Sequence, residues 1–202
     1  MDYSTYHAIN QFVYDHDWIG RFLTSIETWF VPLFGLAAIA LWLLDRPGAV
    51  RKWKLAAASA LASAGLALLI AQVIGKIWAR DRPFAAHPSA HVWGARSHDP
   101  SFPSDHATAA FAIAFAILLF DTTAGWIFMA AAILIAAGRV FVGVHYPGDV
   151  LAGALLGIGS AYFVVRVGRP VIEWAVRLVE RVTNPIVAPF WRRRAGRAGS
   201  DG

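Results

Sequence analysis

Five apolar runs, at residues 31–44, 55–78, 107–120, 125–144 and 148–167, fill most of this chain, and each is closed by charged residues, glycine or proline. A helix crossing a bilayer needs about 20 such residues. The 202 residues are 57% hydrophobic and only 15% charged, a balance rarely seen in a soluble domain of this size. The chain therefore reads as an all-α, polytopic membrane helix bundle with five clear spans. Its length leaves no room for a second globular domain.

Residues 8–30 mix Ile9, Phe12, Val13, Trp18, Phe22 and Ile26 with Asn10, Asp15, Asp17, Arg21 and Glu27 at helical spacing. That pattern fits either an amphipathic helix at the interface or a shielded sixth span continuous with the first run. Asp45-Arg46-Pro47-Gly48 reads as a helix stop. Residues 79–103, with four prolines and three histidines, form a polar loop too irregular to face lipid. Gly153 and Gly157 have the small-xxx-small spacing of closely packed helices.

The net charge of +5 does not indicate nucleic acid, because the basic residues bracket the spans and form no aromatic-interleaved patch. Arg46, Arg51, Lys52 and Lys54 fill the first loop, and Arg169, Arg177, Arg181, Arg192, Arg193, Arg194 and Arg197 fill the tail. Both are cytoplasmic by the positive-inside rule. The chain thus divides into a membrane-embedded unit, 1–168, and a basic amphipathic tail, 169–202, disordered from Ala195 onward. Alternating the spans places the 79–103 loop and the turn at His145 together on the outer face. Trp18, Trp29, Trp42, Trp53, Trp78 and Trp93 fit an aromatic belt.

On that face the order of spans gathers Lys76, Arg80, Arg82, Ser104, His106, Arg139, His145 and Asp149. Ionisable groups at membrane edges are costly and mark function. Several cations, a hydroxyl and two histidines are the inventory of a phosphate site. Ser104 and Asp105 are good caps for the third span and Pro147 a good first residue for the fifth, so two helix N-termini can face the anion. His145 and Asp149, four apart, come within reach across one helical turn. A carboxylate taking the proton of one ring nitrogen leaves the other free to attack, and His106 can then serve as general acid. The scheme needs no metal and no cofactor. His87, His91 and His98 lack the tight ligand pairing of a zinc site.

Lys76 with Arg82-Pro83, then Pro103-Ser104-Asp105-His106, then Gly138-Arg139 with His145 and Asp149, resemble the three signatures of the type 2 phosphatidic acid phosphatase and vanadium haloperoxidase superfamily, K-x6-R-P, P-S-G-H and S-R-x5-H-x3-D. The resemblance implies that His145 attacks phosphorus, Asp149 orients it and His106 protonates the leaving group. Lys76, Arg82, Ser104, Asp105 and Arg139 would surround the phosphate. The first motif is one residue short, which extended backbone before Pro83 can absorb, and Arg80 is the alternative to Lys76. Gly138 stands in place of serine and Asp105 in place of glycine. The P-S-D-H form resembles the bacterial branch acting on undecaprenyl diphosphate. It implies a bacterial cytoplasmic-membrane lipid phosphatase with its site outside. The open alternatives are a phosphatidic acid or phosphatidylglycerophosphate phosphatase, or a non-catalytic binder or transporter of anionic lipid.

Overall fold

A computed structural model describes residues 2–45 and 51–198. Its helices, in chain order, are α1 (Asp2–Asp15), α2 (Asp17–Leu44), α3 (Lys52–Trp78), α4 (Pro83–Ala86), α5 (Asp105–Leu118), α6 (Thr122–Phe141), α7 (Pro147–Arg166) and α8 (Arg169–Ala198). No strand occurs among the described residues. Local chemistry sets the ends. The Asp121 carboxylate accepts the Ala124 N–H at 2.8 Å and caps α6, while Pro147 supplies the first residue of α7. α2 stops before the extended Asp45, whose carboxylate takes the N–H groups of Trp53 and Lys54 at the start of α3. Arg46 to Gly48 lie outside the described residues.

The spans 52–86, 122–141 and 147–166 are long and apolar enough to cross a membrane, and Pro32–Leu43 and Asp105–Leu118 are shorter apolar helical segments. At 14 residues α5 is about 21 Å long, shorter than the roughly 30 Å hydrocarbon core, so its ends do not both lie at headgroup level. It is enclosed by α3, α6 and α7. Its fully buried Ala107, Ala112, Ala114 and Ala116 leave little side chain between backbones. Leu69, Ile77, Leu134, Leu151 and Leu155 point outward on its neighbours, as lipid-facing residues do.

The α5–α7 contact depends on two glycines. A Cβ at Gly157 would lie 2.4 Å from the Thr108 carbonyl oxygen, and one at Gly153 would lie 2.7 Å from that of Ser104. These are backbone atoms and cannot swing away. Gly157→Ala is expected to cost roughly 1–3 kcal/mol, the usual range for overpacking. Gly159→Ala, on the same helix with nothing within 4 Å, serves as control. Thermal unfolding in detergent should show a lowered midpoint for the first and little change for the second.

The amphipathic segment at 8–30 is divided. The chain breaks at His16, and α2 carries residues 17–30 directly into the first apolar run through Pro32. α1 buries Tyr6, Asn10 and Val13 on one face and docks on the loops at one end of the bundle. Its polar residues find partners there. The Tyr6 hydroxyl donates to the Gly143 carbonyl at 3.2 Å, and the Asn10 amide pairs with both the N–H and C=O of His91. Trp93 belongs to this packing. Its indole N–H donates to Asp17 at 2.5 Å, and its ring lies where a side chain at position 20 would be. His87 stacks on Tyr3 and His91 on Tyr14.

At the opposite end, Lys52 pairs with Asp121 at 2.6 Å, and the buried Lys54 reaches Glu180 and Asn184 of α8. Arg51 closes on the second oxygen of Glu180. The first loop, the α5–α6 turn and α8 therefore share one end, as alternating spans require, and the two histidine segments share the other. α8 packs Ile172 and Val176 against Leu55, Ala58 and Ala62. The helix runs to Ala198. Residues 199–202 lie outside the described residues.

Candidate active site

Four helix ends build the site. α3 ends at Trp78, Ala79 takes a left-handed conformation (φ 34°), and the chain leaves the helix until Arg82, which is extended before Pro83. Ser101 N–H then bonds the Arg80 carbonyl at 2.8 Å, and Ser104 N–H bonds that of Asp149 at 3.0 Å. The second and third motifs are thus joined through backbone. After α6 the chain reverses at Gly143 (φ 86°), where a Cβ would strike the His91 carbonyl at 2.2 Å. The N–H groups of Val144 and His145 both fold back on the Arg139 carbonyl.

His145 is 2% exposed. Its Nδ1 lies 2.8 Å from the Ser101 carbonyl oxygen, which can only accept, so Nδ1 carries the proton of the neutral ring. Nε2 then holds the lone pair and accepts from Arg82 Nη1 at 3.3 Å. Burial, reinforced by the charges of Arg139 and Arg82 and partly offset by Asp149, pushes His145 down to about 4. The ring is neutral at pH 7.

Asp149 does not take the imidazole proton directly, as the spacing of four suggests. Its Oδ2 is 3.7 Å from Nδ1 and accepts instead from Ser101 Oγ at 2.5 Å and Tyr146 N–H at 3.0 Å. Its Oδ1 accepts from Arg80 at 2.7 Å. The start of α7 draws the carboxylate back onto the Tyr146 N–H, and Ser101 fills the gap. Nor does α7 offer an open N-terminus to an anion, because Asp2 of α1 accepts the Gly148 N–H at 2.9 Å.

Arg82 is buried and held by the carbonyls of Asp99 and Val144. Arg139 is buried in the last turn of α6, and its charge reaches His145. Ser104 occupies the cap position of α5 without using its side chain as a cap. Its fully buried hydroxyl has no hydrogen-bond partner among the described residues, which suits a group awaiting a phosphoryl oxygen. His106 follows in the first turn of α5, within the field of Arg82. Among the described residues Asp105 neither caps α5 nor forms a direct ion pair with an arginine, although it lies in the field of Arg82. It accepts from Gln72 at 2.9 Å and lines a cavity of about 140 Å3 with Lys76, Gln72, Asp99 and Pro103. Arg80 is engaged by Asp149 and Asp2 and lies 3.9 Å over the Tyr146 ring. Lys76, by contrast, lines the cavity beside Asp105. A Cβ at Gly138 would meet nothing within 4 Å.

Sequence reasoning missed Ser101 and Asp2. Ser101 lies two residues before Pro103, close enough to have drawn notice, but its role depends on both its carbonyl and its hydroxyl. Nothing in spacing joins Asp2 to Gly148, 146 residues away.

The fold is that of a multi-pass helical membrane protein with an ionisable cluster gathered at one end of the bundle. The chain belongs to the PAP2 superfamily, whose profile matches residues 56–172. It is 28% identical over 189 residues to the undecaprenyl-diphosphatase BcrC of Bacillus subtilis, covering 92% of this chain and 95% of that protein. It is 38% identical over 128 residues to the bacitracin transport permease protein BcrC of Bacillus licheniformis, covering 60% of this chain and 63% of that protein's length. With the putative undecaprenyl-diphosphatase YbjG of Escherichia coli it shares 31% over 159 residues, 78% of each chain. Aquifex aeolicus LpxE superposes with a TM-score of 0.68 at 24% identity, over 82% of this chain and 94% of that one. A PAP2-type phosphatidylglycerolphosphate phosphatase of Bacillus subtilis gives 0.58 at 22%, over 80% and 83%. These two structures support the helical fold.

Proposed function

We propose that this protein removes the terminal phosphate of a membrane-anchored isoprenyl diphosphate, with undecaprenyl diphosphate as substrate, through a phosphohistidine at His145. The observation that carries this is the buried neutral His145 with Nδ1 held by the Ser101 carbonyl and Nε2 left as nucleophile. The names of the Bacillus subtilis and Escherichia coli relatives support the substrate class. In this reading Nε2 attacks the terminal phosphorus while Arg82, Arg139, Lys76 and the Ser104 hydroxyl hold its oxygens. The bond to the bridging oxygen breaks, its electron pair leaves with the lipid monophosphate, and His106 supplies a proton. Water, deprotonated by His106, then cleaves the P–N bond and releases phosphate. Asp105 borders the entrance beside Lys76.

The positive-inside rule puts the end carrying Arg51, Lys52, Lys54 and α8 in the cytoplasm and the site outside, in the bacterial cytoplasmic membrane. Residues 1–168 form the catalytic unit and 169–202 the cytoplasmic tail. Purified protein offered undecaprenyl diphosphate, phosphatidic acid and phosphatidylglycerophosphate at equal surface concentration should release phosphate fastest from the first. Preference for either phospholipid would move the assignment to that substrate, and tight lipid binding without release would make the protein a binder.

The titration of His145 gives a second expectation. Because burial lowers its value, the free nucleophile persists until the pH falls through about 4. The acid limb of kcat/KM should therefore lie near 4, well below the 6.5 of an exposed histidine. Folding stability follows the same sign. The unfolded chain binds this proton below about 6.5, so the contribution of neutral His145 is complete above that pH and is lost progressively down to about 4.

A further inference from the structure

We propose that Asp2, on the N-terminal helix, is a positioning residue for the reaction at His145, acting through Arg80 and Asp149; this rests on the reading of His145 as nucleophile. The Arg80 guanidinium is held between two carboxylates, Nη1 to Asp149 Oδ1 and Nη2 to Asp2 Oδ2, both at 2.7 Å. The other Asp2 oxygen accepts the Gly148 N–H at 2.9 Å, in the first turn of the helix that carries Asp149. One carboxylate thus ties the guanidinium to α7. From Asp149 the chain continues through the Ser101 hydroxyl at 2.5 Å, and the Ser101 carbonyl holds His145 Nδ1 at 2.8 Å. Charges alternate along it: Asp2 negative, Arg80 positive, Asp149 negative.

Asp2 is not on a frayed end. α1 is fastened by Tyr6 to Gly143, by Asn10 to His91, and by Tyr3 stacked 3.7 Å from His87. Gly143 is two residues from His145, so the helix that carries Asp2 also braces the turn that carries the nucleophile. Without the Asp2 carboxylate, one edge of Arg80 and the Gly148 N–H lose their acceptor beside a site that receives phosphate. The freed guanidinium can then turn toward the substrate and away from Asp149, which is wholly buried and depends on it. Ser101 loosens, and the His145 ring loses its single orientation. Substrate binding gains or keeps a cation while the chemical step loses alignment. The loss should fall on kcat.

The test uses the full chain in lipid nanodiscs, with undecaprenyl diphosphate as probe and 15N-labelled histidine. Asp2→Asn keeps the size and an acceptor for Gly148 but removes the charge. It is expected to lower kcat about tenfold, the scale of a modest misalignment, with KM unchanged or lower. His145 nitrogen shifts should move from one Nδ1–H tautomer to a mixture, and Asp2→Glu should restore most of both. A kcat within twofold of the parent overturns the proposal. So does a fall in kcat that tracks loss of folded protein while the tautomer stays pure, since that is helix packing alone. If the parent itself hydrolyses none of the lipid phosphates, the nucleophile reading has failed, and the tautomer comparison still decides whether Asp2 orients the ring.

Discussion

Replacing His145 with asparagine is expected to reduce turnover of undecaprenyl diphosphate by on the order of 10⁴-fold or more, the scale seen when a nucleophile acting within a unit is removed. Asparagine is the informative choice because its side-chain amide can still donate to the Ser101 carbonyl, preserving the contact that seats the ring. What disappears is the Nε2 lone pair beside Arg82. KM should change little, since the cations and the Ser104 hydroxyl remain. The accompanying readout is covalent. A rapid quench into alkaline denaturant, which preserves the acid-labile P–N bond, should trap labelled phosphate on the parent chain and none on the variant. Normal turnover by the variant, or label retained on it, would transfer the role to another residue.

Much of this site is legible from spacing because its motifs sit at helix ends. Pro147 starts α7 and Ser104 precedes α5 because backbone rules act within a few residues. Gly153 and Gly157 announce close packing since only the absence of a Cβ permits it. Spacing fails where a side chain has competing partners. The four-residue interval correctly brings Asp149 near His145, yet the Tyr146 N–H and Ser101 hydroxyl claim the oxygen that would have met the ring. Arg80 and Lys76 could not be ranked for the same reason. Arg80 is held by Asp2, contributed by a helix whose amphipathic pattern says that it docks but not where. Spacing likewise gave no sign that the Trp93 indole N–H is committed to Asp17.

His106→Ala is expected to act unequally on different substrates, and that inequality tests both the acid assignment and the substrate. A positioned general acid contributes about 10²- to 10⁴-fold. The upper value applies when the departing oxygen badly needs a proton. Cleaving phosphatidic acid or phosphatidylglycerophosphate expels an alkoxide, about as strong a base as hydroxide, which cannot leave unprotonated. Cleaving the terminal phosphate of a diphosphate expels a phosphate monoester that protonates only at about 6. At neutral pH that group leaves as an anion with little assistance. The variant should therefore lose roughly 10⁴-fold on the esters but nearer 10²-fold on undecaprenyl diphosphate, where the remaining cost is the second step, in which His106 must deprotonate water. Phosphohistidine should accumulate on the variant during diphosphate turnover, because its formation is less impaired than its hydrolysis. Equal losses on all three substrates, with no accumulation, would show that His106 holds the phosphate and transfers no proton. What makes His106 the residue to test is its place in the first turn of α5, within the field of Arg82 and directly after the Ser104–Asp105 pair.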